Sequence, residues 1–343
     1  MIFNSRVFSL AVLLAIVAIT PGVLKAQTAP QPMSETTLSS GSTSGTKTGG
    51  TGTVSGVDNT GVVAVDAAPA PAPDVLAGPE AAVFDGTYIW VATQFTDSVT
   101  RVRASDGTVA GTFSVGKRPV ALLYAAGYVW VANLLSDNVM KINPSTGAVA
   151  ATYSTGNGPG GFAFDGTNVW VANRESNNVT KLAATTGANL GTFAVGNRPM
   201  GLAFAANSIF VANNFSNTVT KLSLAGAVLG TYPVGKGPFG VAAQGTSVWV
   251  SNYFGQTVSK LRAADGFNLG TFKVGDGAAG IVFDGVNLWV VCNGDSTVVK
   301  MSPTGEIITT YATGKGPFTV AYDGNKVWVP NSGNNSLSST TAN

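Results

Sequence analysis

The sequence predicts an all-β protein, a seven-bladed β-propeller of four-stranded antiparallel blades whose ring is closed by an N-terminal strand. The first observation behind this is a period. An apolar motif centred on Trp90, Trp130, Trp170, Phe210, Trp249, Trp289 and Trp328 recurs at spacings of 40, 40, 40, 39, 40 and 39 residues. Self-similarity of this kind marks units that cannot bury their apolar faces alone and must stack. The second is the content of each unit, four short apolar or β-branched runs separated by turn residues, which reads as a meander. The third is an alternation in the first run. One phase is small (Ala81, Ala121, Gly161, Gly201, Gly240, Gly280, Thr319) and the other mostly bulky (Ala82, Leu122, Phe162, Leu202, Val241, Ile281, Val320). One face of that strand is therefore flat and the other protrudes, so that neighbouring blades interdigitate around a channel.

The elements follow in order in the third copy, which begins at Gly158. Its runs cover 160–164, 169–173, 179–182 and 190–195. Asp165 and Gly166 separate the first pair, and Thr186 and Gly187 the last, residues that tolerate the positive φ of tight turns. Between the second and third runs stands a polar tip of Arg174, Glu175, Ser176, Asn177 and Asn178. The tryptophans of the second run are expected in the core between sheets, not as ligand-stacking groups.

The seventh copy stops at 338–343 after three runs. TGVVAV, residues 60–65, resembles the missing fourth run and is expected to complete the seventh blade and tie the termini together, leaving no open edge. The segment around it, 27–74, is rich in Ser, Thr, Gly and Pro and reads as a flexible linker, with APAPAP at 68–73 as a stiffer piece. Residues 1–26 carry Arg6, an apolar run from Val7 to Ile19 and small residues ending at Ala26. That is a signal-peptide pattern, too short to span a bilayer comfortably. The expected organisation is a signal peptide over 1–26, a linker over 27–74 and a propeller over 75–343. Such a protein is exported to the periplasm or the exterior, monomeric, with no membrane span after cleavage.

Composition excludes several function classes. The chain of 343 residues is 45% hydrophobic and 10% charged, with a net charge of +2, so no basic field is available for nucleic acid. Cys292 has no second cysteine to pair with and is expected to pack as a small apolar residue within a strand. The chain has no histidine. A Ser-His-Asp triad, a zinc-ligand cluster and a haem attachment motif each need histidine or more cysteine, so no cofactor and no metal is implied. A carboxylate pair acting as acid and base remains open.

The residues VWVANRESNNVTKL, followed by a Thr-Gly turn, a GTFxVG strand and GxxPxGxAFDG, resemble the YVTN family of β-propellers in all seven copies. The likeness shades into NHL-type repeats and the propeller of virginiamycin B lyase. The resemblance implies a bacterial or archaeal envelope or extracellular seven-bladed propeller with a binding role. The lyase chemistry uses histidine, glutamate and a bound magnesium ion, and without histidine it transfers to no position of this chain.

In a ring of meander blades, the loops between blades and the tips between second and third strands share the face at the channel mouth. The interblade loops place Lys117, Arg118, Arg198, Lys236 and Lys315 around that rim. The tips carry Phe95, Leu134 with Leu135, Arg174 with Glu175, Phe215, and Tyr253 with Phe254. Glu80 stands near the same mouth, at the start of the first inner strand. Aromatic residues at otherwise polar tips point to an interaction surface. The expected function is a binding module for a protein, peptide or glycan on this face. The alternatives are a small-ligand lyase or hydrolase using carboxylates such as Glu80, Glu175 or Asp276, and a structural component of the cell envelope.

Overall fold

The computed structural model describes residues 29–37 and 76–342. Among them the chain forms seven antiparallel sheets arranged blade by blade. Blade 1 runs Pro79–Phe84, Tyr88–Thr93, Ser98–Arg103 and Val109–Ser114. Blade 3 runs Pro159–Phe164, Asn168–Asn173, Asn178–Ala183 and Asn189–Ala194, the four runs read from sequence. In each blade the first strand packs on the first strands of its neighbours, so these strands line the channel. The small phase of the inner strand has a direct cause. A Cβ on Gly161 would collide with the carbonyl oxygen of Met200 in the next blade, and one on Gly280 would sit 2.8 Å from that of Phe318. Adjacent backbones approach where side chains are missing.

Each core is shared between two blades. Trp170 of blade 3 is fully buried and clusters with Leu202, Ile209 and Val211 of blade 4. Its indole N–H donates to Asp165 Oδ2 at 2.8 Å, and Trp90, Trp289 and Trp328 donate likewise to Asp85, Asp284 and Asp323. The aspartate of the turn therefore satisfies a buried donor as well as shaping the turn. A cation on the third strand joins each of blades 1 to 6 to the next. Lys181 Nζ lies 5.0 Å from the Trp170 ring centre and donates to Leu224 O, 43 residues on, at 2.6 Å. Lys141, Lys221, Lys260 and Lys300 repeat the contact, and Arg101 replaces the lysine in blade 1. Blade 7 has Ser339 at this place, opposite Trp328.

Ring closure departs from expectation in its residues. The outer edge of blade 7 is filled by Ser34–Thr37, antiparallel to Ser336–Thr341, with Ser34 opposite Ser339 and Thr37 opposite Ser336. TGVVAV at 60–65 lies outside the described residues, and the place assigned to it is held by this segment from within the 27–74 linker. Gln31–Pro32, just ahead, runs parallel to Ile307–Ala312 on the edge of blade 6. Met33, between the two, is buried and donates its N–H to Ala312 O at 3.1 Å. Composition misled because the ordering of this stretch comes from backbone pairing with two sheet edges and one buried side chain. A count of apolar residues does not register edge pairing. At the same seam Asn335 Oδ1 accepts from Gly78 N at 2.9 Å, and Thr319 Oγ1 donates to Glu80 O at 3.0 Å. Among the described residues no helix is long and apolar enough to cross a membrane.

Candidate binding face at the channel mouth

The mouth is assembled by hydrogen bonds between tips and interblade loops. Ser176 Oγ accepts from Asn157 N at 2.7 Å, and Asn177, at φ 54°, accepts from Arg198 N at 2.8 Å in the loop entering blade 4. Asp97, Asp137 and Asn217 do the same for Arg118, Gly158 and Gly237. The Ser-Asn part of the tip is thus a blade-to-blade clamp. The two residues before it are left for other uses.

These two positions separate by direction. The first tip residue turns toward the axis: Gln94 Nε2 donates to Glu80 Oε2 at 2.8 Å, Arg174 Nη2 to Gly160 O at 2.9 Å, and Asn214 Nδ2 to Pro238 O at 3.1 Å. Tyr253 belongs to this set. Its hydroxyl donates to Asn293 Oδ1 at 2.9 Å, and its ring lies 6.1 Å from Phe239 and 6.5 Å from Phe318. The second tip residue turns outward, leaving Phe95 71%, Leu135 66%, Phe215 60% and Phe254 62% exposed. Phe95 and Phe254 lie over Gly78 and Gly237, and Phe215 lies 4.8 Å from the Arg198 guanidinium. These rings shield loop backbone on one side and meet solvent on the other.

The mouth is chemically two-sided. Phe239 and Tyr253 of blade 5 and Phe318 of blade 7 form one aromatic side. Arg118, Arg174 and Arg198, from the loops and tip of blades 2 to 4, line one cavity of about 440 Å³ with Leu134, Leu135, Asp137, Asn157, Gly158 and Glu175. Arg174 also lines the channel cavity below, of about 300 Å³, which Glu80 enters from blade 1. The structure therefore brings together six of the expected residues, Arg118, Leu134, Leu135, Arg174, Glu175 and Arg198, with Glu80 beneath. Lys117 is engaged by Asp97 at 2.7 Å, and Lys236 and Lys315 are exposed on other loops, outside this cavity. Sequence reading missed Gln94, Phe239 and Phe318, and it missed Gly160. A glycine where the other copies carry Glu80, Val120, Met200, Phe239, Ala279 and Phe318 was the available signal.

Burial pushes the Glu80 carboxyl above its ordinary range, against the pull of Arg174 and Arg118 and the hydrogen bond from Gln94. Burial likewise pushes the Arg174 guanidinium down to about 10; Glu80 opposes this, and Arg198 and Arg118 add to it. Buried Cys292 has its thiol raised to about 12, chiefly by burial, as suits a packing residue. Among the described residues no three His, Cys, Asp or Glu side chains gather where they could hold a metal.

Fold and mouth together define a seven-bladed β-propeller with a polar and apolar loop face. No family model matches the chain, and no curated protein sequence does. Solved structures share its architecture. Virginiamycin B lyase from Staphylococcus aureus aligns with a TM-score of 0.69 at 16% identity, over 78% of this chain and 96% of the lyase. Hydrazine synthase of Kuenenia stuttgartiensis gives 0.71 at 17%, over 84% and 99%. BamB from Moraxella catarrhalis gives 0.57 at 15%, over 76% and 84%. At these identities the likeness is one of fold, and the propeller reading of the sequence holds at that level. A single architecture under such different names leaves function to the site.

Proposed function

We propose that this protein is an exported binding module that recognises a protein, peptide or glycan through the loop face at the channel mouth. One observation carries the reading: Phe95, Leu135, Phe215 and Phe254 all stand at the outward tip position of that face, each more than half exposed. Large apolar side chains gathered on one surface mark contact with a partner. The two-sided mouth adds polarity, with arginines on one arc and rings on the other, so that a partner would dock in one orientation. Export rests on the signal-peptide pattern of residues 1–26, and fractionation of cells expressing the full chain checks it: recovery solely from the cytoplasm defeats that part.

The test of binding is capture of a partner from culture supernatant by the intact protein, compared with a variant carrying alanine at Phe95, Phe215, Tyr253 and Phe254. Loss of capture in the variant supports the reading. Equal capture by both, or none by the intact protein, removes it.

A second reading has a specific observation in its favour, since Glu80 is a half-buried carboxyl of raised pKa in a channel cavity beside Arg174, the setting of a general acid. Turnover of a substrate panel that disappears in Glu80→Gln would establish it.

A further inference from the structure

We propose that the cavity shared by Arg118, Arg174 and Arg198 binds a carboxylate carried on an apolar group, the chemistry common to a peptide C-terminus with an aliphatic last residue and a short fatty acid. The proposal rests on the binding-module reading and names the ligand class for one arc of its face.

Three guanidinium groups from consecutive blades line one cavity of about 440 Å³. Among the described residues none of the three has a carboxylate within ion-pair distance. Two of them occupy costly backbone. Arg118 and Arg198 both have φ 52°, at the loop position where Gly78, Gly158, Gly237, Gly277 and Gly316 serve the other blades. A non-glycine residue in this region costs on the order of 1 kcal/mol, and such strain gathers at functional sites. Both departures from glycine flank this one cavity.

The third arginine is held short of satisfaction. Arg174 gives one N–H to Gly160 O, while its buried Nε has no partner among the described residues. Burial disfavours its charge, Glu80 in the channel below favours it, and Arg198 and Arg118 add a smaller repulsion that an anion lodged among the three would offset while supplying acceptors to the guanidinium groups.

The walls select the kind of anion. Glu175 and Asp137 stand in the same lining and oppose a doubly charged phosphate more than a singly charged carboxylate. A planar carboxylate also fits a guanidinium fork with two parallel bonds. Leu134 and the exposed Leu135 form an apolar wall beside the arginines, which suits a hydrocarbon group next to the charge.

The experiment is fluorescence anisotropy of the full chain with a labelled peptide ending in a free C-terminal leucine. The same peptide as its C-terminal amide is compared, and octanoate, glucuronate and inorganic phosphate serve as competitors. The free acid is expected to bind at least tenfold tighter than the amide, and octanoate to compete better than glucuronate or phosphate. Arg174→Gln, and the exposed Arg118→Gln in case the first disturbs folding, are expected to lose tenfold or more. Lys315→Gln, on another loop of the rim, keeps full affinity. Competition by octanoate assigns a free small acid as well as a peptide end; its failure while the peptide binds assigns the peptide end.

Equal binding of acid and amide, stronger competition by phosphate or glucuronate, or no binding of either peptide or octanoate overturns the proposal. So does full affinity in a folded Arg118→Gln variant. A supernatant partner whose capture needs the tip aromatics but not the arginines overturns the ligand class and leaves the binding module standing. Failure of capture as well removes both.

Discussion

Arg174 lies flat over Gly160, its Nη2 donating to the Gly160 carbonyl oxygen at 2.9 Å, in space that a side chain on residue 160 would fill. The corresponding pairs in neighbouring blades are Val120 with Leu134 and Met200 with Asn214, where the inner strand carries bulk and the tip is uncharged. Loss of the side chain at 160 and gain of a guanidinium at 174 are therefore one change in two places.

A compensation experiment follows from that pairing. Gly160→Val drives a branched side chain into Arg174 and is expected to lower stability by about 1–3 kcal/mol, the usual cost of overpacking. Adding Arg174→Asn reproduces the smaller tip of blade 4 and recovers most of the loss. Urea unfolding of the two single variants and the double measures the coupling, and additive losses would show that the pair is independent.

Lys221 donates to Ala263 O at 2.9 Å and Ala264 O at 2.8 Å across the boundary between blades 4 and 5. Lys221→Met keeps much of the stem and removes these bonds, at an expected cost of about 1.5–3 kcal/mol for bonds from a charged donor. Lys236→Met, on an exposed loop, is expected to stay within about 0.5 kcal/mol of the parent. Chemical denaturation of both variants decides, and equal effects would mean that the boundary contact is only geometric.

The closing segment predicts a contrast between two deletions. Removing 29–37 takes away the outer strand of blade 7 and the strap across blade 6, and is expected to lower the melting temperature by several degrees. Removing 58–66, where the sequence had suggested closure, is expected to leave it unchanged. Calorimetry of the two truncated chains reads the difference directly, and the reverse order of effects would return closure to residues 60–65.

Glu80 predicts a pH dependence. Burial raises its carboxyl in the native state, while in the unfolded chain it titrates near 4.5. Between those two values the folded protein holds more protons than the unfolded one, so this group's contribution to stability falls as pH rises through the interval. Glu80→Gln removes that slope. Thermal melts from pH 4 to 7 are expected to show the parent losing stability relative to the variant as pH increases; parallel curves would place the Glu80 carboxyl at its ordinary value.

The fold was legible because it is written seven times: the positions of Trp170, Asp165, Gly161 and Leu182 recur with small variations, and repetition separates signal from accident. The clamp of Ser176 and Asn177 was legible as a turn, but its reach into the next blade was not, since Asn157 and Arg198 lie about 20 residues away on either side. The contacts of the third-strand lysines were missed for the same reason, as Lys181 in a strand looks like a solvated face until a carbonyl 43 residues on is seen to receive it. Local sequence carries period and turn chemistry; contacts between units appear when the ring is assembled. At the mouth, sequence brought Arg118, Arg174 and Arg198 to one rim, while their gathering in one cavity, and the inward turn of Tyr253, depend on side-chain direction.

The strap made by Gln31–Pro32 and Ser34–Thr37 has a consequence for how the molecule is made. These residues are separated from the strands they must find, Ile307–Ala312 and Ser336–Thr341, by most of the propeller. Pairings between such distant parts of a chain form late and slowly. The edges of the sixth and seventh blades are therefore expected to be covered only after those blades have formed, and the strap ties two neighbouring blades to each other as it seals them.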